Sequence, residues 1–270
     1  MIARRKLLTP EREQLILQLL GDKGMTIVGL SQEIGVSEAT VRRDLDSLDT
    51  QGKVVRVHGG AMRAAFPRIE PGFSQKVSLH AGEKAAIASR AAELVSDAET
   101  IYLDGGSTVF GLARHLAGRQ RLTIVTNSLT AAFELMDSPH RLILVGGECR
   151  PISRALVGPL TAPVIEMLHI DKAFMGTIGL TVEEGASTTD PNEAFTKELV
   201  MKRATKVIVL ADSSKIGVPA FARNGTIADI DILVTDRQLS KRHRKALEER
   251  GIEVLIADDT QHSTTGKAES

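Results

Sequence analysis

Between residues 100 and 257 one arrangement recurs seven times: a short run of apolar residues, then a stretch that reads as helix or turn. The runs are TIYLD, LTIVTN, RLILVGG, KAFMGT, KVIVLAD, IDILVTD and IEVLIA. Their apolar residues are consecutive rather than alternating, so such strands must be covered on both faces. Alternation with helices then predicts an α/β fold with a largely parallel sheet. In a parallel sheet the carboxyl ends of the strands share one edge, and that edge is where ligands usually bind. The residues just after each run therefore decide what the protein can hold.

Those residues are suited to phosphate. The first run leads into Asp104, Gly105, Gly106, Ser107 and Thr108, the second into Thr126, Asn127 and Ser128, the third into Gly146 and Gly147, and the fifth into DSSK, ending at Lys215. Glycine turns expose backbone N–H groups, hydroxyls add donors, and lysine adds charge. A single GGST is equally well read as a turn that needs glycine for tight packing. Four such loops on one edge favour an anion site.

The amino-terminal part has a different character. Thr9-Pro10-Glu11 predicts the start of a helix over 10–20, with Leu15, Leu19 and Leu20 at helical spacing. A short helix containing Leu30 and Ile34 ends at Gly35, and Ser37 caps a third. In that third helix Val41, Leu45 and Leu48 form the buried stripe, which turns Thr40, Arg42 and Arg43 outward. KVVRVH, closed by Gly59-Gly60, reads as a hairpin or wing. A helix, a glycine turn and a second helix can present the first turn of the latter to the major groove. The candidate DNA-contacting residues are Ser37, Glu38, Ala39, Thr40, Arg42 and Arg43, with Lys53, Arg56 and His58 on the wing. A merely solvated arginine face is the alternative, against which the added wing weighs.

The expected organisation is a winged helix-turn-helix over 1–62, a linker over 63–79 rich in Pro and Gly, an α/β domain over 80–258 and a polar tail over 259–270. A chain of 270 residues has room for two domains. Lys and Arg total 34 against 34 Asp and Glu, so any basic face must come from arrangement and not from total charge. With no Trp and one Tyr, the chain lacks the stacking platforms of single-stranded nucleic acid binders. A lone Cys149 excludes an internal disulfide, the opening MIARRKLLTP has no export-type apolar segment, and no run could span a bilayer. A cytoplasmic protein is expected. The scattered histidines lack metal-ligand spacing, so neither a metal site nor a cofactor is expected.

The stretch VSEATVRRDLDSLDTQGKVVRVHGGA closely resembles the winged helix-turn-helix signature of the deoxyribose-operon-repressor (DeoR) family, and DGGST, TNS, LVGG and ADSSKIG resemble that family's effector domain. The resemblance covers roughly residues 10–256. It implies a bacterial transcriptional regulator, more repressor than activator, acting on double-stranded operator DNA of a carbohydrate or polyol operon. It further implies a sensor domain similar to ribose-5-phosphate isomerase and glucosamine-6-phosphate deaminase folds that receives a phosphorylated sugar or related metabolite. Carried over by position, Asp104 to Thr108 and Thr126 to Ser128 line the site and Lys215 supplies a cation. Asn192, Glu193 and Lys197 fit the helix pattern DPNEAFTKELV, although Glu193 and Lys197 at i, i+4 read equally well as a surface ion pair. One module of this size contacts few base pairs, so a homodimer or homotetramer is expected.

Two other readings compete. One is a sugar-phosphate isomerase or deaminase with an appended helical domain; the isomerases carry an acidic pair where this chain has Ile178 and Gly179, and neither can take a proton. The other is an architectural DNA binder without a ligand, for which four phosphate-friendly loops would have no use.

Overall fold

The computed structural model describes residues 8–20, 24–50, 53–57, 59–63 and 70–258. The chain forms two compact units, Met1–Glu70 and Pro71–Ser270. His58 and the polar tail over 259–270 lie outside the described residues, as do positions 64–69 of the stretch expected to be linker.

The first unit contains α1 (Thr9–Leu20), β1 (Met25–Thr26), α2 (Ile27–Ile34), α3 (Glu38–Thr50), β2 (Val54–Val57) and β3 (Gly60–Arg63). Val41, Leu45 and Leu48 are fully buried and pack with Ile16, Leu20 and Leu30 from the other two helices. The wing is a three-stranded sheet of order β1-β3-β2, one strand more than the hairpin that the sequence announces. Two residues, Met25 and Thr26, are too short a run to carry a period.

The second unit opens with α4 (Phe73–Ser78) and α5 (Ala81–Ala92), followed by β4 (Thr100–Leu103), α6 (Ser107–Ala113), β5 (Thr123–Thr126), α7 (Leu129–Leu135) and β6 (Arg141–Leu144). Then come β7 (Glu148–Arg150), β8 (Ala155–Val157), α8 (Ala162–Glu166), β9 (Ile170–Gly176), β10 (Gly179–Thr181), β11 (Gly185–Thr188) and α9 (Pro191–Arg203). The chain continues through β12 (Ala204–Leu210), β13 (Ala222–Gly225), β14 (Ile232–Thr235), α10 (Lys241–Glu248) and β15 (Glu253–Ile256). All seven apolar runs become the strands of one sheet, ordered β15-β14-β12-β9-β4-β5-β6 and parallel throughout. Two apolar layers cover it, one around Ile101, Leu103 and Phe174 and the other around Tyr102, Met175 and Val209.

Asp171, in β9, accepts the Thr100 N–H at 2.8 Å and so ties neighbouring strands together. The hairpin β7–β8 and the small antiparallel sheet β10-β11-β13 are additions that the sequence does not signal. Helix α4 lies inside the stretch expected to be linker. Its one buried apolar residue, Phe73, packs edge-on against Phe110 of α6, ring centres 5.8 Å apart, while the Arg154 guanidinium lies 5.2 Å from the Phe73 ring centre and donates to Ser74 Oγ at 3.1 Å. One aromatic anchor in six residues is too sparse a pattern to stand out beside Pro67, Pro71 and Gly72.

Candidate nucleic-acid interface and effector site

In the first unit α2 ends at Gly35 in the left-handed conformation (φ 76°), whose N–H donates to Ser31 O at 2.9 Å. Ser37 Oγ then accepts the Thr40 N–H at 3.2 Å, which starts α3. Ser37, Ala39, Arg42, Arg43 and Lys53 are exposed; Glu38, Thr40 and Arg56 are half-buried. The two arginines differ. Arg42 pairs with Glu38 at 2.9 Å along the helix, whereas Arg43 makes no hydrogen bond or ion pair among the described residues. Arg56 donates to Asp46 Oδ1 at 2.8 Å, so it braces the wing against α3.

Sequence reading missed Asp44. It is buried on the inner side of α3, where Arg12 of α1 meets both its oxygens at 2.5 and 2.7 Å. Its position is i+3 from Val41 and i−4 from Leu48, on the buried stripe, which is the signal that could have found it. Removing one partner of a buried pair strands the other charge. Asp44→Ala is expected to destabilise the first unit by about 3 kcal/mol, measured as faster hydrogen exchange over residues 9–63 with no change in the second unit.

In the second unit the loops after β4, β5, β6 and β12 lie along the carboxyl edge of the sheet, since all these strands are parallel. Asp104 to Thr108 follow β4; Thr126 to Ser128 follow β5; Gly146 and Gly147 follow β6; the turn Ser213–Lys215 follows β12, beyond the intervening β9. Gly105 is required by close approach: a Cβ there would stand 2.6 Å from the Ala155 Cβ. Several polar groups serve the protein itself. Thr126 Oγ1 donates to Leu103 O at 2.6 Å, Ser128 Oγ accepts from Ala131 N at 3.1 Å, and Asn127 Nδ2 donates to Leu156 O at 3.0 Å. Asn127 Oδ1 is buried with no hydrogen bond, and an ideal Cβ at Gly105 would lie 3.8 Å from it. Lys215 is half-buried, and Asp236 fixes its turn by accepting the Ser213 N–H at 2.7 Å.

Behind the first loop sits a charged cluster. Lys197 is 2% exposed, Glu193 5% and Asp104 1%. The Lys197 ammonium contacts Asp104 Oδ2, donates to Gly176 O at 3.0 Å and lies 3.6 Å from Glu193. Arg150 stands 3.2 Å from the other side of Glu193 and 3.6 Å from Asp190. Burial acts hardest on Lys197 and pushes its pKa down, but Asp104 and Glu193 outweigh it, so the pKa lies above the usual ammonium value. The surface ion pair allowed by spacing is therefore corrected: the pair is internal, and it is joined by Asp104, 93 residues away.

Lys84, in the first turn of α5, was also missed. It is 9% exposed; its ammonium contacts Lys76 O and donates to Leu79 O at 2.6 Å. Desolvation lowers its pKa to about 8, with Asp212 opposing and Lys215 adding to the shift. Beside it a 220 Å³ recess is lined by Gly82, Glu83, Ala86, Asp236, Arg237, Gln238 and Ala257; two carboxylates make it a poor receptor for an anion. Among the described residues no helix is long and apolar enough to cross a membrane, and no group of His, Cys, Asp or Glu could hold a metal.

Residues 12–65 match the DeoR-like helix-turn-helix domain and residues 79–237 match the DeoR C terminal sensor domain. This chain belongs to the DeoR family. Among its DeoR-family relatives, the HTH-type transcriptional regulator GolR of Listeria innocua is 38% identical over 250 residues, covering 92% of this chain and 98% of GolR. GlpR of Haloferax volcanii is 35% identical over 250 residues, with coverage of 92% and 98%. The lactose phosphotransferase system repressor of Lactococcus lactis is 33% identical over 235 residues, with coverage of 86% and 92%. Of solved structures, ribose 5-phosphate isomerase A from Methanocaldococcus jannaschii is 23% identical over 49% of this chain and 53% of its own, with a TM-score of 0.37, too distant to carry an argument. The DeoR-family chain is thus a helix-turn-helix transcriptional regulator with an α/β sensor unit.

Proposed function

We propose that the chain represses a carbohydrate or polyol utilisation operon, and that a phosphorylated sugar or polyol received at the carboxyl edge of the sheet relaxes its hold on DNA. The observation that carries this is the pairing, in one chain, of two exposed arginines on α3 with four Gly-, Ser-, Thr- or Lys-containing loops on a single sheet edge. A relative named as a lactose phosphotransferase system repressor supports the carbohydrate class. Arg42 and Arg43 address base edges, Ser37, Ala39, Thr40 and Lys53 address the backbone, and a homodimer or homotetramer in the cytoplasm brings two wings to spaced half-sites. Effector coupling of this kind is typically about 1–3 kcal/mol.

Catalysis is not part of the proposal. Ile178 and Gly179 offer no acid or base, and a side chain at Gly179 would begin 2.1 Å from the Val218 carbonyl oxygen. A carboxylate has no room there. The test is a thermal-shift panel of sugar and polyol phosphates, followed by operator release with each compound that binds. A true effector at a hundredfold excess over its Kd stabilises the folded chain by about 2.7 kcal/mol. Lys215→Ala should retain operator binding and require a higher concentration of that effector for release. A panel in which no phosphorylated compound shifts the melting temperature would rule the reading out.

A further inference from the structure

Lys84 is a buried cation that the sensor's architecture brings to the effector edge. Helix α5 precedes β4 and runs antiparallel to it, so the first turn of α5 sits at the carboxyl edge of the sheet. Two observations agree: Gln238, just past the end of β14, donates to Glu83 Oε1 at 3.1 Å, and an ideal Cβ at Gly111 in α6 would lie 4.0 Å from the Lys84 carbonyl. Lys84 therefore stands between α6, which follows the DGGS loop, and the turn carrying Lys215, whose charge it feels. An ammonium has three protons. Two go to the carbonyls of Lys76 and Leu79, at the end of α4 and just beyond it, and no third acceptor occurs among the described residues. Among the described residues no carboxylate forms an ion pair with it. A buried charge whose hydrogen bonds go to carbonyl dipoles, with carboxylates acting on it only at longer range, gains from an incoming anion.

We propose that Lys84 gives its third proton to the phosphoryl group of the effector while keeping both α4 carbonyls, so that binding and the docking of α4 share one ammonium. The inference rests on the effector reading above and adds a residue and a route to it. Among the described residues helix α4 is the first element after β3 of the first unit, and Phe73 anchors its other end on α6. An anion beside Lys84 favours its protonated form, which holds the Lys76 and Leu79 carbonyls, and so tightens α4 against the sensor.

The test uses the full chain with inorganic phosphate as probe and chloride at matched ionic strength as control. Phosphate is expected to raise the melting temperature and to slow amide exchange over residues 73–79. In Lys84→Gln, which keeps a donor but not the charge, phosphate affinity should fall about tenfold or more, and the α4 response should vanish. Lys84→Met serves as a second variant if the first folds poorly, and the wild-type exchange measurement needs neither. Lys215→Ala should weaken phosphate binding yet keep the α4 response at saturation. Equal phosphate affinity in wild type and Lys84→Gln would remove Lys84 from the site and leave the effector reading intact. Unchanged α4 exchange in phosphate-saturated wild type would overturn the coupling. No response of the wild type to phosphate or to any phosphorylated compound would overturn both.

Discussion

Lys197→Met will cost the second unit about 3–5 kcal/mol. The substitution keeps length and apolar stem but leaves Asp104 and Glu193 facing each other in a volume that water barely reaches. Arg150 remains on the far side of Glu193, so Asp104 bears most of the loss; among the described residues it then keeps only the Gly176 N–H, which donates to it at 2.9 Å. A domain of ordinary stability has about 5–15 kcal/mol in hand, so the midpoint of urea unfolding should fall steeply. Pairing the change with Asp104→Asn should recover a large part, because no uncompensated charge is then left inside. A single variant as stable as wild type would mean that the cluster is hydrated and that its apparent burial has no energetic content. Since Asp104 opens the DGGS loop, the same cluster fixes where that loop begins.

Arg43→Ala is expected to weaken operator binding by about 1–3 kcal/mol, roughly fivefold to more than a hundredfold, with the melting temperature nearly unchanged. Arg43 spends nothing on the fold, being exposed and without a partner among the described residues. Arg42 is a less clean probe because Glu38 competes for it at 2.9 Å. Glu38→Ala should therefore release Arg42 and raise nonspecific affinity for DNA, an effect that salt suppresses. Titration of labelled operator against each variant, with thermal denaturation in parallel, separates the roles. Unfolding of Arg43→Ala would show the guanidinium to be structural; undiminished operator affinity would remove it from the interface.

What could be read in advance follows from how far each cause reaches along the chain. The seven strands announce themselves because consecutive apolar residues are a local property, and the stripe of Val41, Leu45 and Leu48 is local too. By contrast, β7, β8, β10, β11 and β13 are three or four residues long, several of them rich in Gly and polar residues, and are set by pairing with distant partners. The site divides in the same way. Its loops follow the strands and are legible, but the burial of Lys197 depends on Asp104 and Gly176, which spacing along α9 cannot reveal. Lys84 had a local signal after all: with Ala88 and Ala91 it stands at i, i+4, i+7 on the inward stripe of α5, where a charge is out of place.

The aromatic clasp of Phe73 on Phe110 marks where the sensing half can be severed. A fragment cut at residue 80, the edge suggested by composition, would strip away the ring that covers Phe110 and both carbonyls that hold Lys84. One begun at Pro71 keeps its plug and latch together, which makes it the natural piece for isolating the metabolite receptor from its DNA-reading half.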